Sequence, residues 1–403
     1  MPTRFKQEGA NPSRATAAVR RAILPPMSGR ASKLLAALAV AMTVVFVVGV
    51  LAALDAIDLP GNWRTTLGLK NERPNPPCHL GLYRRAPTSP PVPAGRWRFE
   101  RETPAAVVEG NAVAIGPTIY TFGGSAPGNL HRVLAYDVRS GRWSEPTQLP
   151  VGLNHSPAVA WHGDAYLAGG YLEGAEATSD FWRYDPRADR WTRMPPMHQP
   201  RGGAAAAAIG DKLYVADGAP QTYGVSNPSG PYQSFESYDF ATGTWSSLPD
   251  APIAVHHVSG AALGGRFYMV GGRTDPEASS DEFSRYDPRR ERWEELPGLP
   301  SGPYSSVGLV TAAGKIVAFG GDDELGWEDG GGSVTPSAWA FDPRTSRWQR
   351  LPDMNIERHA FGAAVDRGRI YAISGSYCPG IKLNGPVGTH TVESLPVSAV
   401  RRG

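Results

Sequence analysis

Four of the nine histidines in this 403-residue chain fall at one recurring kind of position. The polar residues found there are Asn154 and His155; Arg201; His256 and His257; Tyr304; and Arg358 with His359. Each group stands just ahead of a short apolar run. Arginine grips carboxylates through paired hydrogen bonds, and histidine exchanges protons near neutral pH. Brought together, such residues suit an anionic or hydroxylated ligand. The same residues also serve as a water-bound polar lining or as a protein-binding rim, and all three readings stay open at this stage. No nucleophile-elbow serine, HExxH pair or phosphate-binding loop is present. Only two cysteines occur, Cys78 and Cys378, which excludes a cysteine-built zinc cluster or a dense disulfide framework. No metal or cofactor is expected on these grounds, and no catalytic residue is assigned.

A repeat positions these residues. One pattern recurs every 46–55 residues through the last three quarters of the chain. A glycine pair ends an apolar strand at Gly123-Gly124, Gly169-Gly170, Gly271-Gly272 and Gly320-Gly321, with degenerate copies at Asp217-Gly218 and Ser374-Gly375. An aromatic-Asp pair follows a variable loop: Tyr136-Asp137, Tyr184-Asp185, Tyr238-Asp239, Tyr286-Asp287, Phe341-Asp342. Soon after comes a tryptophan, Trp143, Trp191, Trp245, Trp293 or Trp348. Segments such as 165–168 and 267–270 are short apolar runs bounded by glycine, as buried inner strands should be. The Asp-Pro-Arg stretch before Trp191 is a turn signal between two strands. Gly (47) and Pro (38) abound, which also favours many short strands over long helices.

The pattern resembles the kelch repeat over residues 95–398. The resemblance implies an all-β, six-bladed propeller with four antiparallel strands per blade. The last copy lacks its tryptophan strand, whereas Gly95-Arg96-Trp97-Arg98-Phe99 looks like a tryptophan strand without a copy of its own. Trp97 is therefore expected to supply the outer strand of the sixth blade and close the ring without a seam. Cys78 precedes that strand and Cys378 lies in the sixth blade, so a disulfide between them is a candidate; two separate thiols are the alternative. Alternating strands put the long loops, 219–233, 273–282, 322–337 and 376–390, on one face with the connections between blades. The polar set above should then ring the mouth of the central channel. Asp322, Asp323, Glu324, Glu328 and Asp329 read as solvated loop charge, with Ca²⁺ binding as the alternative.

The N-terminal quarter reads differently. Residues 1–33 carry seven basic side chains against Glu8, so of the net +2 about −4 is left for the rest. Residues 34–54 carry no charge, and at ~1.5 Å per residue a helix of that length spans a bilayer core of ~30 Å. The flanking charges place residues 1–33 in the cytoplasm, 34–54 as a single-pass anchor, and the propeller on the extracytoplasmic side. Cleavage after a signal segment, giving a secreted protein, is the alternative. The proline-rich residues 55–94 read as a stiff stalk. The basic tail is assigned to the membrane, and no nucleic-acid partner is expected.

The expected function is a membrane-anchored binding module for a protein or glycan on the loop face. A carbohydrate-active enzyme similar to a sialic-acid mutarotase is the alternative. Resemblance to the copper galactose oxidases is weaker, because their site needs a Tyr–Cys crosslink and the propeller here offers only Cys378.

Overall fold

The computed structural model describes residues 96–401, apart from 126–129, 174–175, 222–229, 275–277, 324–332 and 378–387. The basic tail, the segment 34–54, the proline-rich 55–94 and both Cys78 and Cys378 lie outside the described residues. Among the described residues no helix is long and apolar enough to cross a membrane.

Six four-stranded antiparallel sheets follow one another along the chain. They occupy residues 111–144, 158–194, 205–248, 259–295, 308–351 and 362–396, and are numbered here as blades 1 to 6. In the first five, the strand order is the chain order. Blade 6 has Gly362–Asp366, Arg369–Ile373 and Val392–Pro396, and its fourth strand is Arg98–Phe99 from the other end of the chain. Arg98 pairs with Ser394 and Phe99 with Glu393. Ring closure by the Trp97 segment is thus the observed topology. A one-turn helix, Ser398–Arg401, follows and tucks Val400 under blade 6.

The inner strands are apolar beyond their first residue or two because both of their faces are buried there. In Lys212–Ala216, Leu213 and Val215 pack towards blade 2 while Tyr214 and Ala216 pack towards blade 4. Period-2 alternation delivers one side chain to each neighbour. The apolar core accordingly divides into six clusters, one at each junction between blades, including the junction of blade 6 with blade 1.

Two sets of directional bonds repeat at these junctions. The indole of each blade's outer-strand tryptophan donates to a backbone carbonyl just past the outer strand of the preceding blade. Trp143 donates to Arg101, Trp191 to Thr147, Trp245 to Pro195, Trp293 to Pro249, Trp348 to Pro297 and Trp97 to Pro352, at 2.7–3.4 Å. Trp97 completes that circle and is 1% exposed. Nearer the axis, the second residue of each glycine pair donates its N–H to the connection entering the next blade. Gly124 reaches Leu153, Gly170 Arg201, Gly218 Val255, Gly272 Tyr304, Gly321 Arg358 and Gly375 Val107, at 2.8–3.2 Å. The approach explains the first glycine too. A Cβ on Gly123 would sit 2.0 Å from the Leu153 carbonyl oxygen, and one on Gly169 2.2 Å from that of Arg201.

Asp217 and Ser374 take that first position in blades 3 and 6, with φ of 61° in both. Both blades also bury an arginine beneath it. Arg201 donates to the carbonyls of Asp217 and Ser234 and to Glu236. Arg358 donates to the carbonyls of Ser374 and Thr391 and to Glu393. The hydroxyl of Ser374 accepts from Val107 N–H and donates to Thr389. The carboxylate oxygens of Asp217 make no hydrogen bond. Burial therefore holds the Asp217 carboxyl well above its ordinary value of 3.8, against the pull of Arg201.

Two predictions follow from this architecture. Trp97→Ala should lower unfolding stability by about 3–5 kcal/mol in chemical denaturation, since it empties the closing junction and removes its indole bond. An unfolding curve that coincides with the parent's would break the closure account. Asp217→Asn should act in the opposite direction. A carboxyl whose pKa folding raises stabilises the fold fully only below its unfolded value, and that contribution is lost as pH rises through the folded value. The asparagine variant should therefore melt higher than the parent at pH 7, with the difference shrinking towards pH 4. An equal or lower melting temperature at pH 7 would refute this.

Candidate functional site

The connections between blades reach the axis at six equivalent residues: Glu109, His155, Gly203, His257, Ser306 and Ala360. Each lies fourteen residues before the first position of its blade's glycine pair. All six have left-handed backbone, with φ between 50° and 65°. That conformation costs a side chain of order 1 kcal/mol or more, and here the surroundings hold it in place. Backbone hydrogen bonds link the six into a circle. Glu109 N–H donates to Ala360, Ala360 to Ser306, Ser306 to His257, His155 to Glu109 and Gly203 to His155; between Gly203 and His257 the donor is Val258 N–H. The left-handed turn directs each side chain into the channel. Because positions 203 and 360 carry glycine and alanine, only Glu109, His155, His257 and Ser306 present polar groups there.

These groups meet at a cavity of about 130 Å³ in the channel, lined by the axial residues and the first residues of the innermost strands. His155 Nε2 lies 3.1 Å from Glu109 Oε2. The ring of His257 stands edge-on to that of His155, centroids 4.5 Å apart, and to that of His256 at 4.6 Å. His155 Nδ1 bonds Asn154 Oδ1, and His256 Nδ1 contacts His257 Nδ1. Tyr171 packs edge-on against His155 and gives its hydroxyl proton to Gly202 O.

A buried polar layer supports the circle from one side. Arg273 donates to Ser305 Oγ at 2.7 Å and to Asp322 Oδ2 at 2.8 Å. Ser305 Oγ donates to Asp322 Oδ1 at 2.7 Å, and His359 Nδ1 stands 3.3 Å from Asp322 Oδ2. Burial presses the pKa of Glu109 upward, but His155 beside it, then His359 and Arg273, outweigh that and hold the carboxyl below its ordinary range. Burial first, and then the neighbouring histidines, push His257 well below the ordinary imidazole value. His256 is pushed down to about 4 in the same way. Glu109 is therefore held ionised, and His256 and His257 are held neutral, in a dry setting.

The structure sorts the residues singled out in the sequence. Asn154, His155, His256, His257 and His359 gather at or beside the axis. Arg201 and Arg358 do not join them. They sit two residues before the axial positions Gly203 and Ala360, buried between strands, where Glu236 and Glu393 hold them. Tyr304 is turned to the junction of blades 4 and 5, where it packs against that apolar cluster. Asp322 is no solvated loop charge; it is fully buried in its ion pair with Arg273. Glu324, Glu328 and Asp329 lie outside the described residues. Glu109, Tyr171 and Arg273 were missed. The constant fourteen-residue interval to the glycine pair marks Glu109 as the partner of His155 and His257.

Models of the kelch motif match residues 109–150, 153–198 and 303–355, and a second kelch-motif model matches 255–300. Kelch-like protein terF of Aspergillus terreus is 27% identical over 317 residues, covering 75% of this chain and 67% of its own length. Kelch-like protein 35 of Mus musculus is 28% identical over 241 residues, 60% of this chain and 38% of the relative. The chain thus spans well under half of that relative's length. A solved structure described as "Structure of YjhT" superposes with a TM-score of 0.62 at 15% identity, covering 72% of this chain and 95% of the other. That likeness is one of fold. The repeated glycine, tryptophan and axial positions and these matches agree: the chain belongs to the kelch-repeat β-propeller family.

Proposed function

We propose that this protein is a non-catalytic recognition module whose six-bladed propeller receives a protein partner on the face that carries the loops between second and third strands. Residues 34–54 hold it to a membrane, with the propeller on the extracytoplasmic side. The observation that carries the reading is the size and filling of the channel at its axial circle. Small-molecule sites usually occupy ~300–1,000 Å³. The cavity here measures about 130 Å³. Both arginines that would grip a sugar acid are committed to buried glutamates. What remains for recognition is the broad loop face around the mouth, where a rigid scaffold carries variable segments. A carbohydrate-active enzyme akin to a sialic-acid mutarotase shares the blade number, but this chain would have to bind the substrate carboxylate without Arg201 or Arg358.

A photo-crosslinking amino acid tests the face directly. Placed at Glu173 or Ser333, both exposed on the loop side, it should capture a discrete protein adduct from native membranes. Placed at Arg187 or Arg289, on the turns of the opposite side, it should capture none. Adducts arising only from the second pair would refute the reading. So would rapid sialic-acid anomerisation by the parent chain that disappears in His257→Ala.

A further inference from the structure

The axial circle holds a set of groups that recognition on the loop face does not use. Glu109, His155 and His257 come from the connections entering blades 1, 2 and 4. Each is more than nine-tenths buried. Their potential donor atoms all lie within 4.8 Å of one another. Ser306 Oγ is buried and makes no hydrogen bond, and His155 Nε2 is buried without an aligned hydrogen bond, its neighbour being the Glu109 carboxylate. The 3.1 Å approach of His155 Nε2 to Glu109 Oε2 is a close ionic contact without the alignment of a hydrogen bond. Buried polar atoms left in this state are uncommon and ask for a partner.

We infer that Glu109, His155 and His257 form a binding site for one divalent transition-metal ion of the zinc class on the propeller axis.

The donor chemistry selects the ion. Two imidazoles and one carboxylate suit Zn²⁺ and its first-row neighbours, whereas Ca²⁺ and Mg²⁺ demand oxygen ligands. The geometry is close to what such an ion needs. Tetrahedral bonds of ~2.0–2.1 Å put donor atoms about 3.4 Å apart. The Glu109–His155 pair already stands at 3.1 Å. With all donor atoms within 4.8 Å of one another, His257 has to close by no more than about 1.4 Å.

Supporting contacts are in place. Ligating histidines generally commit their second ring nitrogen to a neighbouring oxygen, which fixes the tautomer. His155 does so: Nδ1 bonds Asn154 Oδ1, which turns Nε2 towards Glu109 and the axis. A single cation would also settle the electrostatics of a buried carboxylate among imidazoles. Three protein ligands leave one coordination position for a further ligand. The expectation of no metal rested on the scarcity of cysteine, and this donor set contains none.

The test uses the full chain, purified without a histidine tag, with Cys78 and Cys378 alkylated and metals removed by a chelator. Titration with Zn²⁺ followed by calorimetry, and elemental analysis after desalting, should give one ion per chain. Co²⁺ should give visible ligand-field bands of a four-coordinate nitrogen and oxygen site. Glu109→Gln, His155→Ala and His257→Ala should each weaken Zn²⁺ binding by more than about tenfold. His131→Ala and His198→Ala, at exposed histidines away from the axis, should leave it unchanged. Melting temperatures of the metal-free variants guard against misfolding. Glu109→Gln conserves shape, so weakened binding in a variant that melts like the parent reads as ligand loss. A parent chain that retains no ion, or equal affinity in all three axial variants, overturns the assignment.

Discussion

A kelch blade has two apolar faces and cannot cover either by itself. That constraint governs the molecule. Each sheet is useful only between two others, and six wedges that all need neighbours satisfy one another in a closed circle. The apolar clusters lie between blades, with none confined inside a blade. Directional bonds then fix how the wedges meet. Indole N–H groups stitch the outer radius, glycine N–H groups an intermediate one, and the left-handed residues the axis. Burial supplies the drive to associate, and these three concentric sets supply the angle and the register.

The axial circle shows how a structural requirement becomes a chemical opportunity. Turning the chain from one blade into the next needs a left-handed residue at the axis, and any side chain at that point enters the channel. A fully polar circle would crowd it and a fully glycine circle would leave it bland. This chain places acid, imidazole, imidazole and hydroxyl at four positions and small residues at two. The support from Arg273, Ser305 and Asp322 is fully buried, so it sets the local field without competing for the mouth.

The fold was legible because its signals are side chains with fixed tasks. The glycine pairs mark a close backbone approach, and the tryptophans mark an inter-blade bond. Trp97 therefore announced its blade although it sits 255 residues from the carbonyl it bonds. The site was legible only in outline. Three successive connection residues, such as Arg358, His359 and Ala360, point respectively between strands, towards the polar layer and into the channel. No period of 2 or 3.6 runs through such a segment, so residue type alone does not tell which direction applies. Glu109 escaped notice because its connection precedes the first complete repeat, and Arg273 because its partner Asp322 belongs to the next blade.

The joining of the two chain ends in one sheet has a consequence for how the protein is made. Ser394 bonds Glu100 across 294 residues. Bringing ends that far apart together costs about 5 kcal/mol of chain entropy. Synthesis at ~5–20 residues per second separates the emergence of the two partners by about 15–60 s. During that interval the opening segment has no strand to pair with and the nascent array presents an unsealed edge, a template for neighbouring chains. Production of this protein is therefore most exposed to misassembly until the strand Val392–Pro396 has left the ribosome.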